Sequence, residues 1–332
     1  MKRFLRSVSR ILSAVIITVG LMLLIIGCVY TQPTIGTLGV KAPIAANPDA
    51  LRAHVQFLSA VTFPRDSDHA IILARAADYI ATSMSQSGGR IILQDFTVRG
   101  SNYRNVVARF GPATGPVFVI GAHYDAFGEL PAADDNASGV AGLLELGRLL
   151  GNVPPKVRID LVAYCLEEPP FYGSTDMGSA VHARSLEDSH ESVLGMASLE
   201  MIGYFAPEQN WNNPLLEAVY PNRGDFIMVV GRWHDRTLVR YLQKSMRGAS
   251  TIPVRSLVTL GLPDVDASDH RNYWRSGARA VLVTDTAFIR NPNYHTKDDL
   301  PSTLNYDKMA RVVDAMYGVA MNAGRYASGR RD

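Results

Sequence analysis

The sequence is poor in cysteine and carries almost no excess charge. Its two cysteines are Cys28 and Cys165. Cys28 lies in or beside a long apolar run near the N-terminus, and Cys165 lies in an apolar run inside the body. They do not pair, so the chain is no disulfide scaffold. An exported protein without disulfides relies on a large core, and 47% of the 332 residues are hydrophobic against 19% charged. The formal net charge is +2, much of it from Lys2, Arg3, Arg6 and Arg10. The remainder is near neutral and shows no basic stripe, which excludes a nucleic-acid partner. Repeats and low-complexity tracts are absent too. Beyond the N-terminal segment about 290 residues remain, enough for one large α/β domain.

What is present begins with residues 11–30, "ILSAVIITVGLMLLIIGCVY", which carry no charge. At about 1.5 Å per residue they span roughly 30 Å, the thickness of a bilayer core. The basic flank favours a cytoplasmic N-terminus with the body on the periplasmic or extracellular side. Two outcomes fit: an uncleaved signal anchor, or lipoprotein processing at Cys28, which follows a small residue in "IIGC". The anchor is preferred because the run is long for a signal peptide. The expected organisation is a basic n-region and anchor over 1–30, a proline- and glycine-containing linker over 31–48, and one domain over 49–328.

The domain alternates strands and helices. "NPDALRAHVQFLSAV" opens with a cap at Asn47 or Asp49 and continues at helical spacing. Residues 68–89 read as a helix stopped by Gly88 and Gly89. "RIILQDFTV" and "RNVVARF" alternate like paired strands. "PVFVIGAH" and "KVRIDLVAYCLEE" are continuous apolar runs, typical of buried strands. Residues 193–204, 225–231 and 278–286 add three more strands. Helices are expected over 138–151 and 305–327. This order predicts a three-layer α/β/α fold with a mixed, mostly parallel sheet. Ligands of such sheets bind beyond the carboxyl ends of the strands.

Ligand-type residues fall at those ends. His123 and Asp125 end one strand, Glu167 and Glu168 a second, Glu200 a third. His295 follows a fourth, and Asp134 and Asp135 precede the helix near Ser138. Taken singly, each has a bland reading. A histidine after a strand is usually structural, an aspartate before a helix is usually a cap, and adjacent glutamates usually face water. Jointly the reading reverses, because so many carboxylates crowded together need a cation. Carboxylates and imidazoles without thiolates suit zinc or another first-row divalent ion. Two histidines and three carboxylates hold two metals if one carboxylate bridges. A further carboxylate is needed to move the proton of the attacking water, and the Glu167–Glu168 pair supplies a ligand and a base.

The stretches "GAHYDA", "AADDNASGV", "CLEEPPFYGS", "LEMIGY", "SDHRNYW" and "NYHTKDD" resemble the zinc metallopeptidase family of aminopeptidase Y and bacterial leucyl aminopeptidase. Glutamate carboxypeptidase and, more distantly, glutaminyl cyclase are relatives. The elements run in the family's order over roughly residues 100–300. The resemblance implies that His123 and Glu200 bind one metal and that Asp135 bridges. Glu168 and His295 bind the second metal, Glu167 is the general base, and Asp125 holds the His123 imidazole. The family most often has aspartate where this chain has Glu200. Tyr294 is expected near the substrate carbonyl, while Asp269 and His270 shape the pocket. The implied activity is a membrane-tethered or exported zinc aminopeptidase with two zinc ions, or one if Glu200 fails as a ligand. It attacks peptides with a free N-terminus through a metal-bound hydroxide. The rivals are a one-zinc glutaminyl cyclase-like acyltransferase and a non-catalytic module of the same fold. The stretch 205–225 reads as an ordinary surface loop in preference to a lid over the site.

Overall fold

In a computed structural model describing residues 2–259 and 265–329, the apolar runs become strands of one sheet. They are β1 (Arg90–Val98), β2 (Ser101–Phe110), β3 (Val117–His123), β4 (Arg158–Tyr164), β5 (Val193–Glu200), β6 (Ile227–Arg232), β7 (Val254–Thr259) and β8 (Ala280–Thr284). Their spatial order is β1-β2-β4-β3-β5-β8-β6-β7. Strands β4, β3, β5 and β8 run parallel through the centre. β1 and β2 join antiparallel at one edge. At the other edge β6 is antiparallel to β8 and parallel to β7. The sheet is mixed, as expected. Met1 and residues 260–264, which fall within the expected segments, lie outside the described residues.

The helices are α1 (Lys2–Thr31), α2 (Pro48–Gln56), α3 (Ala70–Gln86), α4 (Gly139–Asn152), α5 (Gly178–Asp188), α6 (Pro214–Val219), α7 (Arg236–Ala249), α8 (His270–Arg275) and α9 (Tyr306–Ser328). β3 shows how the layers arise. Phe118 and Ile120 join a core with α2, α3, α4, α7 and α9, whereas Val117 and Val119 join another with α5 and α8. This is the period-2 geometry of a strand with both faces covered, so its sequence reads as unbroken apolarity. Asn47 and not Asp49 caps α2, accepting from Asp49 N–H at 2.9 Å and Ala50 N–H at 3.4 Å.

Three features bear on the site. Leu12–Thr31 of α1 is long and apolar enough, by length and composition, to cross a membrane. The chain after it is strapped to the domain. Leu38 N–H donates to Lys244 O at 3.0 Å, Asn322 donates to Leu38 O at 3.1 Å, and Ala46 N–H donates to Asp314 at 2.9 Å. The stretch 205–225 is not an ordinary surface loop. Trp211, Tyr220 and α6 cover this part of β6–β8: Trp211 and Tyr220 are buried in a third apolar cluster with Phe226, Met228, Val230, Leu257 and Leu282.

Candidate metal centre

The ends of the central strands meet at one edge. His123 closes β3 in register with Tyr164, the last residue of β4. Three residues beyond Tyr164 the chain reaches Glu167 and Glu168. Glu200 closes β5, and the loop after β8 carries Tyr294 and His295. All the expected ligand residues come together. Asp135 Oδ1 lies 3.3 Å from His123 Nε2, and Asp135 Oδ2 lies 3.0 Å from His295 Nε2. Glu200 Oε1 is 3.4 Å from His123 Nε2. Glu168 Oε1 is 3.2 Å from His295 Nε2. Asp135 is thus shared between two clusters, one with His123 and Glu200, the other with Glu168 and His295, each with its ligand-type atoms within 4.8 Å of one another. Glu167 joins His123 and Glu168 in a third such cluster. Its carboxylate makes no side-chain hydrogen bond among the described residues.

Neighbouring groups set these side chains in place. Asp125, expected to hold the imidazole, has its Oδ1 3.6 Å from His123 Nδ1, while the backbone carbonyl of Asp125 is nearer, at 3.1 Å. Its carboxylate also accepts the N–H groups of Glu167 and Glu168, at 3.1 and 3.0 Å. The capping function for which Asp134, Asp135 and Asn136 compete falls to Asn136, whose Oδ1 accepts from Gly139 N–H and Met201 N–H, both at 3.1 Å. A side chain at residue 139 would press on that amide, since an added Cβ lies 2.4 Å from Asn136 Oδ1. The Asp135–Asn136 peptide is cis. Phe127 and Tyr294 both stack on the loop histidine, with ring centroids 4.2 and 3.8 Å from that of His295.

The sequence reading missed three supporting residues. Asp299 accepts from Asp134 N–H and Asp135 N–H, at 2.9 and 3.1 Å. Ser268 donates to Glu200 Oε2 at 2.6 Å. Arg65 is wholly buried and donates to the carbonyls of Leu58, Tyr124, Pro131 and Ala132. It thereby ties together both ends of the 124–132 loop, which separates His123 from Asp135. The aspartate stood in "NYHTKDD" and the serine beside Asp269, but nothing in the local pattern of Arg65 marks it.

The electrostatics are those of a cation site. Burial pushes the Glu167 carboxyl well above its usual range; the His123 charge opposes this, and the charges of Glu168 and Glu200 add to it. Burial likewise lifts Glu168 to about 8 and raises Glu200. Burial opposes protonation of His295, but hydrogen bonds to Asp135 and Glu168 prevail and push it up to about 10. A divalent cation would offset the negative charge crowded here and satisfy the same oxygens and nitrogens. The donor set of imidazole nitrogens and carboxylate oxygens fits zinc.

An apolar cavity of about 240 Å³ opens beside the cluster. Met201, Trp211, Leu216, Met228, Leu257 and Phe288 line it, with Glu200 and Tyr294 at its border. Tyr294 therefore lies between His295 and the cavity.

Comparison with known proteins accords with this arrangement. The chain is 45% identical over 307 residues to YfbL of Escherichia coli (strain K12), described as uncharacterized, covering 89% of this chain and 94% of that protein. It is 32% identical over 241 residues to a probable zinc metalloprotease of Pyrenophora teres f. teres (strain 0-1), covering 63% of this chain and 49% of that protein. The chain spans about half the length of that relative. The solved structure of BSAP, a zinc aminopeptidase from Bacillus subtilis, has the same fold, with a TM-score of 0.67 at 15% identity, covering 86% of this chain and 96% of that one. Residues 105–320 match the sequence profile of peptidase family M28, and with that match the chain belongs to this family.

Proposed function

We propose that the protein is a zinc-dependent aminopeptidase that removes apolar residues from peptides with a free N-terminus. The observation that carries this reading is the position of Asp135, with one oxygen toward His123 and the other toward His295. In this reading His123, Glu200 and Asp135 hold one zinc ion, and Asp135, Glu168 and His295 hold a second. Zinc bound there supplies a Lewis acid that polarises the scissile carbonyl and acidifies water.

The protein's own residues do the rest. Glu167 has no competing side-chain hydrogen bond among the described residues, so it takes a proton from the attacking water and returns it to the leaving amine nitrogen. Asp125 fixes the backbone of Glu167 and Glu168, so that base and ligand diverge from one anchored point. The carboxylates give a free α-ammonium its counter-charge. The neighbouring cavity takes one large apolar side chain, and Tyr294 borders both.

Leu12–Thr31 and the basic flank before it support a signal anchor, with the peptidase domain held outside the cytoplasm. Lipoprotein processing at Cys28 is the alternative.

The test is product analysis with leucyl, N-acetyl-leucyl and N-terminal glutaminyl peptides. The proposal expects free leucine from the first, no reaction with the blocked peptide, and no lactam from the third. Equal cleavage of the blocked peptide, or lactam as main product, would overturn it.

A further inference from the structure

A second cavity, of about 500 Å³, lies where α1 meets the domain. Thr31, Pro33, Tyr220, Arg247, Arg255 and Ser256 are among its lining. The junction is in direct contact: Ser256 Oγ donates to Thr31 O at 2.5 Å, and Tyr30 packs against the cluster containing Tyr220 and Leu257.

The cavity is basic without being balanced. Among the described residues no aspartate or glutamate lines it. Arg247 is half-buried and donates to Thr34 Oγ1 at 3.3 Å and Val254 O at 3.2 Å. Arg255 is exposed. Neither guanidinium has an ion-pair partner among the described residues. Burial, and then the charge of Arg255, pushes the Arg247 pKa down. A purely structural brace between Thr34 and Val254 accounts for Arg247. It leaves unexplained a second unpaired arginine at the same polar hollow. The half-buried Arg247 feels the like charge of the exposed Arg255, and an anion joining the two would relieve that repulsion.

The position points to the anion. The 20 residues Leu12–Thr31 span about 30 Å as a helix, so Thr31 falls at headgroup level if α1 crosses the bilayer. From these observations we propose that the cavity binds the phosphate of an anionic phospholipid, with Arg247 and Arg255 as its two forks. This rests on the membrane reading of α1 given above. Guanidinium matches phosphate in bidentate geometry. A zwitterionic headgroup would bring an ammonium beside two arginines, with no carboxylate to receive it. Val219, Tyr220 and Pro221 form a wall of this cavity, and Leu216, one turn earlier, lines the substrate cavity. A bound lipid would therefore steady the segment that covers the substrate.

The test uses the full chain in neutral detergent, titrated with phosphatidylglycerol, phosphatidylcholine and inorganic phosphate, and read by native mass spectrometry. Phosphatidylglycerol should bind about 30-fold more tightly than phosphatidylcholine, the contribution of two juxtamembrane arginines. Arg247→Gln/Arg255→Gln should bring the two lipids within about twofold of one another. Arg255→Gln alone, at an exposed position, should lose part of the preference and guards against misfolding of the double variant. Equal affinities in the wild type, or an unchanged preference in both variants, would overturn the proposal. Displacement of lipid by millimolar inorganic phosphate would show a free-phosphate site and overturn it as well. Alkaline carbonate extraction of native membranes tests the tether separately. Release of the chain defeats the membrane reading and the headgroup placement with it, whereas a retained chain with equal lipid affinities defeats the lipid site alone.

Discussion

Ser268 Oγ donates to Glu200 Oε2 at 2.6 Å, which leaves Oε1 turned toward His123. Glutamate stands where the family most often has aspartate, and its extra methylene must be controlled if the side chain is to ligate. The serine supplies that control. Ser268→Ala should weaken the first metal position by about 10- to 100-fold, the usual effect of losing a partner that orients a ligand. Ser268→Thr, which keeps the hydroxyl, should restore most of the affinity. Competition with a graded chelator series measures both, and unchanged affinity in the alanine variant would remove the serine from the account.

Among the carboxylates of the cluster, Glu167 is the one that makes no side-chain hydrogen bond to the described residues. Glu167→Gln should lower kcat by about 100- to 10,000-fold, the contribution of a positioned acid–base group. It should leave the zinc content unchanged, since the assigned ligands remain. Turnover and elemental analysis on one preparation check the two parts, and loss of zinc in this variant would make the residue a ligand instead of a base.

Leu216 lies half-buried in the wall of the substrate cavity. Leu216→Trp should fill that space from the covering segment without disturbing the sheet. Selectivity for leucyl over alanyl substrates, measured as kcat/KM, should fall by about 10-fold or more, on the scale by which one or two methylenes discriminate in an apolar pocket. Equal losses on both substrates would instead show a general defect.

How much of this was legible depended on how local each signal was. The β3 run 117–123 is buried on both sides, so its apolarity alone identified it. The metal-type residues were legible because His123, Glu167, Glu168 and Glu200 stand at or just past the ends of such strands, with Asp135 and His295 on the loops beside them. Helix α7 was missed although "RTLVRYLQKSMRGA" is strongly amphipathic, as were α5, α8 and β7, which are short and stand between better-marked elements. The covering role of 205–225 was illegible because three prolines and several asparagines read as loop, while burial of Trp211 and Tyr220 depends on strands far away in sequence. Arg65 was illegible for the same reason: its acceptors at 58, 124, 131 and 132 converge only in the folded chain.

His182 is buried and lies 2.6 Å from the Tyr273 hydroxyl, which in turn meets that of Tyr164 at 2.7 Å. Burial lowers its pKa from 6.5 to about 4, and that of His270 likewise to about 4. Between those values the unfolded chain binds more protons than the folded one. Stability is therefore full above pH 6.5 and is lost as the pH falls toward 4. Each histidine should cost about 2 kcal/mol between pH 7 and pH 5. His182→Asn should remove its share of that slope. Urea midpoints at the two pH values check this, and an identical slope in the variant would contradict a neutral buried imidazole.

The central claim is that Asp135 joins two metal ions. The measurement that tests it most directly is zinc per chain in the full-length protein and in Asp135→Asn, by elemental analysis after gel filtration. The account predicts two zinc ions in the wild type and a loss at both positions in the variant, because a neutral amide cannot bridge two cations as a carboxylate does. No zinc in the wild type after incubation with the metal, or two ions still held by the variant, would contradict it.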